Sequence, residues 1–347
     1  MAALKPITIV GGGLAGLTLG IGLRQRGIPV TVWEAGHYPR HRVCGEFISG
    51  RGQDALARLG LLESLRHAGS VPARTAAFFL GRAASPVRSL STPALCLSRF
   101  AMDALLADQF RRAGGELREN ARWPDKDFGE GVVRANGRRL HPRENGRGWF
   151  GLKIHARNVS LAADLEMHGT QFGYVGFCRL HDGKVNVCGL FRRPATEPRS
   201  PQPGAALLYG QPGTPLRDRL TGAVIEQGSF CSVAGISLRP HRADSRSECC
   251  IGDALTMIPP VTGNGMSMAF EAAEMALDPL AAYSRGETSW NTVRQSVAAA
   301  CDRAFARRLV WARWLHWMMF TPVLRSWPGS LALHSALLWR MMFACTR

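Results

Sequence analysis

The chain has 347 residues, 46% hydrophobic and 20% charged, enough for a folded core in one large domain or two closely connected ones. Its formal net charge of +17 sits on scattered arginines, with lysine only at positions 5, 126, 153 and 184 and no basic run. This favours a solvated, arginine-rich surface and argues against a nucleic-acid partner. The nine cysteines are odd in number and form no CxxC pair, which excludes a disulfide scaffold or zinc site and points to free thiols in a reducing, cytoplasmic compartment with no metal.

In chain order, residues 6–10 (PITIV) read as a buried parallel strand, GGGLAG as a loop, LTLGIGLRQRG as a helix ending at Gly27, and IPVTVWEAG as a second strand ending near Glu34. That is a βαβ unit. Residues 52–69 have helical spacing of Ala and Leu. Residues 98–117 form a stronger helix in which Phe100, Leu105, Leu106 and Phe110 share a face and Gly114-Gly115 stop it. Residues 149–193 break into short β-rich segments with turns such as His181-Asp182-Gly183, an antiparallel sheet in a different layer. A loose stretch over 194–217 follows, then the strand, loop and helix of ECCIGDA and GMSMAFEAAEMAL, and a helical tail from 291.

Pro6–Leu23 is uncharged, but its glycines follow a nucleotide-loop pattern rather than that of a signal segment. Trp314–Leu324 and Pro328–Trp339 fall well short of the about 20 residues a spanning helix needs. In the tail, Leu309, Trp311, Trp314, Leu315, Met318 and Met319 share a broad face, with Arg307, Arg308, Arg313 and Arg325 around it. This suits an interfacial helix on anionic lipid at the inner face of a membrane, a cap on a substrate pocket, or a helix packed on the core.

Gly11-Gly12-Gly13-Leu14-Ala15-Gly16 is GxGxxG. Gly11 allows the tight turn, Gly13 the approach of a pyrophosphate, and Gly16 close helix–strand packing; the phosphates then meet the free N–H groups of Leu14 and Ala15 at the helix start. Glu34, 23 residues after Gly11, can accept two hydrogen bonds from a ribose diol.

Further on come Gly252-Asp253, Pro259-Pro260, and Gly263-Asn264-Gly265-Met266 opening a helix. With the first loop, this resembles the FAD-binding pattern of the flavin monooxygenase (aromatic hydroxylase-like) and geranylgeranyl reductase superfamily. The resemblance implies that Asp253, after Gly252, binds the ribityl chain and that the backbone of Gly263, Asn264, Gly265 and Met266 lies against the pyrimidine end of the flavin. A helix N-terminus there stabilises the negative charge of reduced flavin. It also implies that Arg99, in LSRFAMDALL, approaches the pyrophosphate, with Arg42 a weaker cofactor contact.

RVCGEFISG resembles the Cys-Gly segment that passes the isoalloxazine ring in geranylgeranyl reductase-like members. Gly45 then allows close backbone approach. Cys44 is a small wall residue, a packing residue, or a redox or acid group activated by Arg40, His41 and Arg42. Glu46 is a proton donor near the ring or a salt-bridged carboxylate. The hydroxylases' mid-chain GADGxxSxxR is here Asn136-Gly137-Arg138-Arg139, without its Asp. Of the aromatics Trp149, Phe150, Phe172, Tyr174, Phe177 and Phe191, two or three are expected to line the pocket, with His155, Glu166 and His168 as weak acid/base candidates.

The resemblance implies an α/β fold: a Rossmann-like, glutathione-reductase-type FAD-binding domain (1–75, 95–148 and 245–290), an inserted antiparallel β-sheet substrate domain (76–94 and 149–244), and a helical C-terminal region (291–347). The expected function is FAD-dependent oxidoreduction of a bulky lipophilic or aromatic metabolite, with NAD(P)H as transient reductant. Two chemistries stay open. One is hydride transfer to or from a carbon–carbon bond; the other is hydroxylation through a flavin hydroperoxide. A non-catalytic flavin-fold binding protein is the third alternative.

Overall fold

The computed structural model describes residues 3–124, 128–138, 147–194, 204–238, 247–320, 334–336 and 339. Arg139 and Arg325 lie outside the described residues. The chain opens with β1 (Ile7–Val10), α1 (Leu14–Gln25), β2 (Val30–Trp33), β3 (Phe47–Ile48), α2 (Gly50–Arg58) and α3 (Leu62–His67). Next are β4 (Val71–Leu80), β5 (Ala83–Ala84), β6 (Arg88–Cys96), α4 (Arg99–Arg112), β7 (Glu116–Arg118) and β8 (Val132–Arg134). Then follow β9 (Arg147–Arg157), β10 (Leu165–Gly169), β11 (Gly173–Arg179), β12 (Val185–Pro194), α5 (Gly204–Tyr209), α6 (Pro215–Leu220), β13 (Val224–Ile225) and β14 (Cys231–Ile236). The last described elements are β15 (Cys249–Cys250), α7 (Gly265–Ser284) and α8 (Trp290–Phe320).

Two sheets result. The first is wholly parallel, in the order β15-β8-β1-β2-β7. Its strands are apolar because helices pack against it: Ile7, Ile9, Val32, Leu17, Phe110 and Phe270 are fully buried in one core. Gly20 of α1 makes room for Phe110 of α4, since a Cβ there would stand 2.8 Å from the ring.

The second sheet has ten strands, running β13-β9-β12-β11-β10-β4-β6-β3 with β14 on β9 and β5 on β4. It is antiparallel except for the parallel pair β10–β4, so it is a mixed sheet rather than the antiparallel one expected. It also begins earlier than residue 76, because β4 starts at Val71 and β3 pairs with β6.

Three local expectations change. Residues 52–69 form two helices, parted where Gly60 takes φ +69°. Phe100 is 39% exposed and leans on His41 at 4.7 Å, while Met102, Asp103, Leu106 and Phe110 form the buried face of α4. In α8, Leu315, Met318 and Met319 face a cavity, whereas Trp314 points outward with Val310 and Trp317. Arg308 is no surface cation; it is buried and clamps Glu271 of α7 at 2.7 and 2.5 Å. That clamp and the α7 packing fasten α8. Arg308→Met is expected to leave the parallel sheet protected and to speed amide exchange over 290–320 first, read by hydrogen-exchange mass spectrometry.

Candidate active site

A cavity of about 1360 Å³ lies between the two sheets. At one end two helix N-termini converge on it. Helix α1 begins after Gly13 and α7 after Asn264; neither has a side-chain cap or an acidic residue in its first turn. Gly13, Leu14 and Ala15 line the cavity from one side, and Gly263, Gly265 and Met266 from the other. The free N–H groups and positive dipole ends of both helices therefore face the same space, an arrangement that suits an anionic ligand.

The glycines of the first loop divide their labour. Gly11 has φ +114°, and a Cβ would collide with the Ala135 carbonyl. A Cβ on Gly16 would collide with the Gly11 carbonyl. A Cβ on Gly13 would meet no protein atom within 4 Å, and Gly13 lines the cavity, so the loop is open to a ligand there.

Asp253, just after Gly252, opens on the cavity with Arg138. Desolvation raises its carboxyl above the ordinary range, against the pull of Arg138 and Arg99. Arg138 Nε is buried without a hydrogen-bond partner. The residue pairing at this end is thus incomplete within the protein, as expected of a polar ligand site.

Glu34 lines the cavity with its carboxylate held in place by the protein. Its carboxylate accepts the Gly12 and Gly36 N–H groups at 3.0 and 2.9 Å and pairs with Arg40 at 2.5 Å and Arg42 at 3.4 Å. Tyr38 Oη donates to the Gly12 carbonyl beside it. The two arginines offered by sequence are similarly committed: Arg99 grips Asp103 at 2.6 and 2.8 Å, and Arg42 Nε reaches Asp103 at 2.9 Å. Both line the cavity as halves of ion pairs rather than as free cationic arms.

The VCGEF segment runs along the cavity and is pinned to α7. Phe47 packs so closely on Gly263, at φ +64°, that a Cβ there would collide with its ring. Ser49 Oγ donates to Asn264 Oδ1 at 2.9 Å and meets Ser267 Oγ at 2.7 Å. Gly45 lines the cavity, and a Cβ there would touch only Phe47.

Of the three readings of Cys44, the structure favours the wall residue, since Cys44 lines the cavity. Burial pushes its thiol up, with Arg99 the nearest opposing cation, and the sulfur packs on the parallel-sheet core. Glu46 takes the salt-bridged alternative. It is fully buried with φ +61°, accepts Arg99 N–H at 2.9 Å, contacts His155 Nε2 at 2.7 Å, and lies 3.3 Å from Lys153 Nζ. Desolvation works against its charge, but His155, Lys153 and the Arg99 amide together hold it below the usual carboxylate range.

Lys153 was missed altogether. Its ammonium is fully buried, with Nζ 2.8 Å from His41 Nδ1. Lys153 and His155 sit two apart on β9, so both leave the same face of the strand. That alternation in LKIHA was the available signal. Glu166 and His168, the other polar insertions, form a second buried cluster: Glu166 accepts from His168 at 2.9 Å and Arg219 at 3.0 Å. Among the six aromatics named from sequence, Tyr174 and Phe177 line the cavity.

Burial, with Lys153 and His155, lowers His41 from its ordinary 6.5 to about 4. Burial and Arg192 do the same to His316. The unfolded chain therefore takes up these protons before the fold does, and acid favours unfolding. The histidine contribution is complete above 6.5 and is lost between 6.5 and about 4. Glu46, also lowered, adds its own loss below its ordinary 4.5. Thermal melts from neutral pH downward should show Tm falling as soon as pH passes below 6.5.

The fold, with its parallel nucleotide-binding sheet and a second mixed sheet over the cavity, is that of FAD-dependent oxidoreductases. Solved structures sharing it include the flavin-dependent brominase Bmp2, at 17% identity and TM-score 0.76 over 100% of this chain and 95% of that one. The myxobacterial chondrochloren halogenase CndH matches at 19% identity and TM-score 0.72, covering 100% and 91%. A flavoprotein/dehydrogenase from Cytophaga hutchinsonii matches at 15% and 0.70, covering 92% and 87%. No curated protein matches this sequence. Residues 5–143 match the FAD binding domain family, which marks the chain as an FAD-dependent enzyme.

The site fits FAD. The bare space at Gly13, the two uncapped helix starts, the unpartnered Arg138 Nε and the cavity-facing Asp253 are complementary to a pyrophosphate and a polyol chain.

Proposed function

We propose that the enzyme oxygenates a bulky lipophilic or aromatic metabolite, with NAD(P)H as transient electron donor. The observation that carries this is the state of the two groups a hydride-transfer reaction would have used: Glu46 is a locked, fully buried carboxylate and Cys44 a packed, protonated thiol. Bound FAD supplies the redox chemistry, in which one atom of O2 enters the substrate and the other leaves as water with the electrons of NAD(P)H. The protein's own residues do the rest. Gly13, Arg138 and the two helix starts hold the cofactor's polar groups, with Asp253 on its polyol chain. The apolar arm of the cavity, with Phe79, Phe177, Met257, Met318 and Met319, takes the substrate and keeps water out. Flavin-dependent halogenation is the neighbouring chemistry suggested by the brominase and halogenase that share the fold.

Hydride transfer is the second reading, favoured by Tyr174, a neutral acid that does face the cavity. One experiment separates them. The yellow protein is reduced without oxygen and mixed either with isotopically heavy O2 and naphthol or with an olefinic lipid under argon. Heavy oxygen in the naphthol product supports oxygenation. Reoxidation by the olefin under argon, with two hydrogens gained, overturns it.

A peripheral lipid contact belongs to the same reading. No helix among the described residues is long and apolar enough to cross a membrane. The outer face of α8, however, exposes Val310 and Trp314 beside Arg307 and Arg313, which suits the surface of an anionic bilayer.

A further inference from the structure

Tyr174 is the polar exception in an apolar place. It stands on β11, 5% exposed, within a cluster that includes Trp149, Leu190, Ile236, Leu315 and Phe320. Tyr174 lines the cavity, and its Oη is buried with no hydrogen-bond partner among the described residues. Phenylalanine would fill the same volume without an unpaired hydroxyl, so packing does not explain the tyrosine. Burial keeps the phenol protonated, which makes it a donor waiting for an acceptor.

A second observation marks the same spot. His316, reaching in from α8, makes tilted ring contacts with Trp149 at 4.8 Å and Phe320 at 4.5 Å, and its buried Nδ1 also lacks a partner among the described residues. Met257, Met318 and Met319 line the adjoining cavity wall. Methionine walls adapt to shape, so direction there comes from fixed polar groups, of which the tyrosine hydroxyl stands on the cavity wall itself.

We propose that Tyr174 donates the hydrogen bond that orients the substrate, and that the substrate is an aromatic molecule carrying a phenolic or ketonic oxygen, its ring seated between β11 and the end of α8. The apolar remainder lies on the methionines. This deepens the reading of the cavity as a substrate site and rests on it. Specificity then comes from one directional bond plus a pliable wall, so ligands of different outline are accepted when the oxygen is present and rejected when it is not.

The test uses the FAD-loaded protein and a matched pair, naphthol and naphthalene, with binding read from the shift in flavin absorbance. Tyr174→Phe should weaken naphthol about tenfold and leave naphthalene unchanged, as loss of one hydrogen bond requires. Leu315→Trp, which fills the cavity, should weaken both. Ligand-free Tyr174→Phe should melt no lower than the parent, because the hydroxyl has no protein partner to lose. Equal naphthol affinity in parent and Tyr174→Phe overturns the proposal, as does a clear drop in ligand-free Tm. Absence of naphthol binding in the parent overturns it too. Binding is read without turnover, so failure to incorporate oxygen would count against oxygenation and leave the Tyr174 assignment standing.

Discussion

Gly13→Val yields a folded but colourless protein. The Cβ position is clear to 4 Å of the rest of the fold, so the melting temperature of the cofactor-free form should stay near that of the cofactor-free parent. What the valine enters is the space in front of α1's free N–H groups, where the pyrophosphate belongs. FAD affinity should fall by at least about 100-fold, the loss expected when an anion is pushed off a helix terminus and its hydrogen bonds. Gly16→Val provides the contrast. Its Cβ runs into the Gly11 carbonyl, so that variant should fail to fold rather than merely fail to bind. Titration of FAD into apo-protein, followed by flavin fluorescence, together with circular dichroism of each variant, distinguishes the two. A yellow Gly13→Val protein would remove the loop from the cofactor site.

The second large effect concerns Glu46. Glu46→Gln preserves shape and can still accept the Arg99 amide, yet it strands the Lys153 ammonium, which is fully buried beside it. Removing one partner of such a pair costs about 3–5 kcal/mol. Lys153→Met alone leaves Glu46 with His155 and the Arg99 amide, so it should cost less. The double variant should recover part of the Glu46→Gln loss, because the unpaired charge is gone. Urea midpoints of the four proteins give the coupling energy. Strict additivity would mean that Lys153 finds another counter-charge when Glu46 is neutral.

Sequence reveals local chemistry here far better than pairing across the sheets. The β1–α1–β2 unit, its glycines and the α7 start are contiguous signals, and each occupies the predicted element. That Asp253 and Gly263 share one cavity with Gly13 was reachable only through family resemblance. The Glu46 cluster was not legible, because its members come from a loop and from β9 and meet only through the register of the larger sheet. The alternation of Lys153 and His155 puts both on one face of β9, but the carboxylate that meets them there comes from a loop 107 residues earlier, the difference between positions 153 and 46. Phe100 and Trp314 failed for another reason. Their spacing matched an apolar stripe, but the stripe facing the core is set by what packs beside the helix, and Phe110 and Leu315 took it.

The two helix starts that frame the cofactor site lie far apart in synthesis. From Gly13 to Gly265 the ribosome must add 252 residues, the difference of their positions, which at about 5–20 residues per second takes about 13–50 s. The parallel sheet is also short of its β15 edge until residue 250 has emerged. The nascent chain thus carries a half-built nucleotide pocket through most of its translation. Cofactor capture becomes a late event that closes the fold, and supply of FAD in the growing cell should govern how much of this protein escapes degradation.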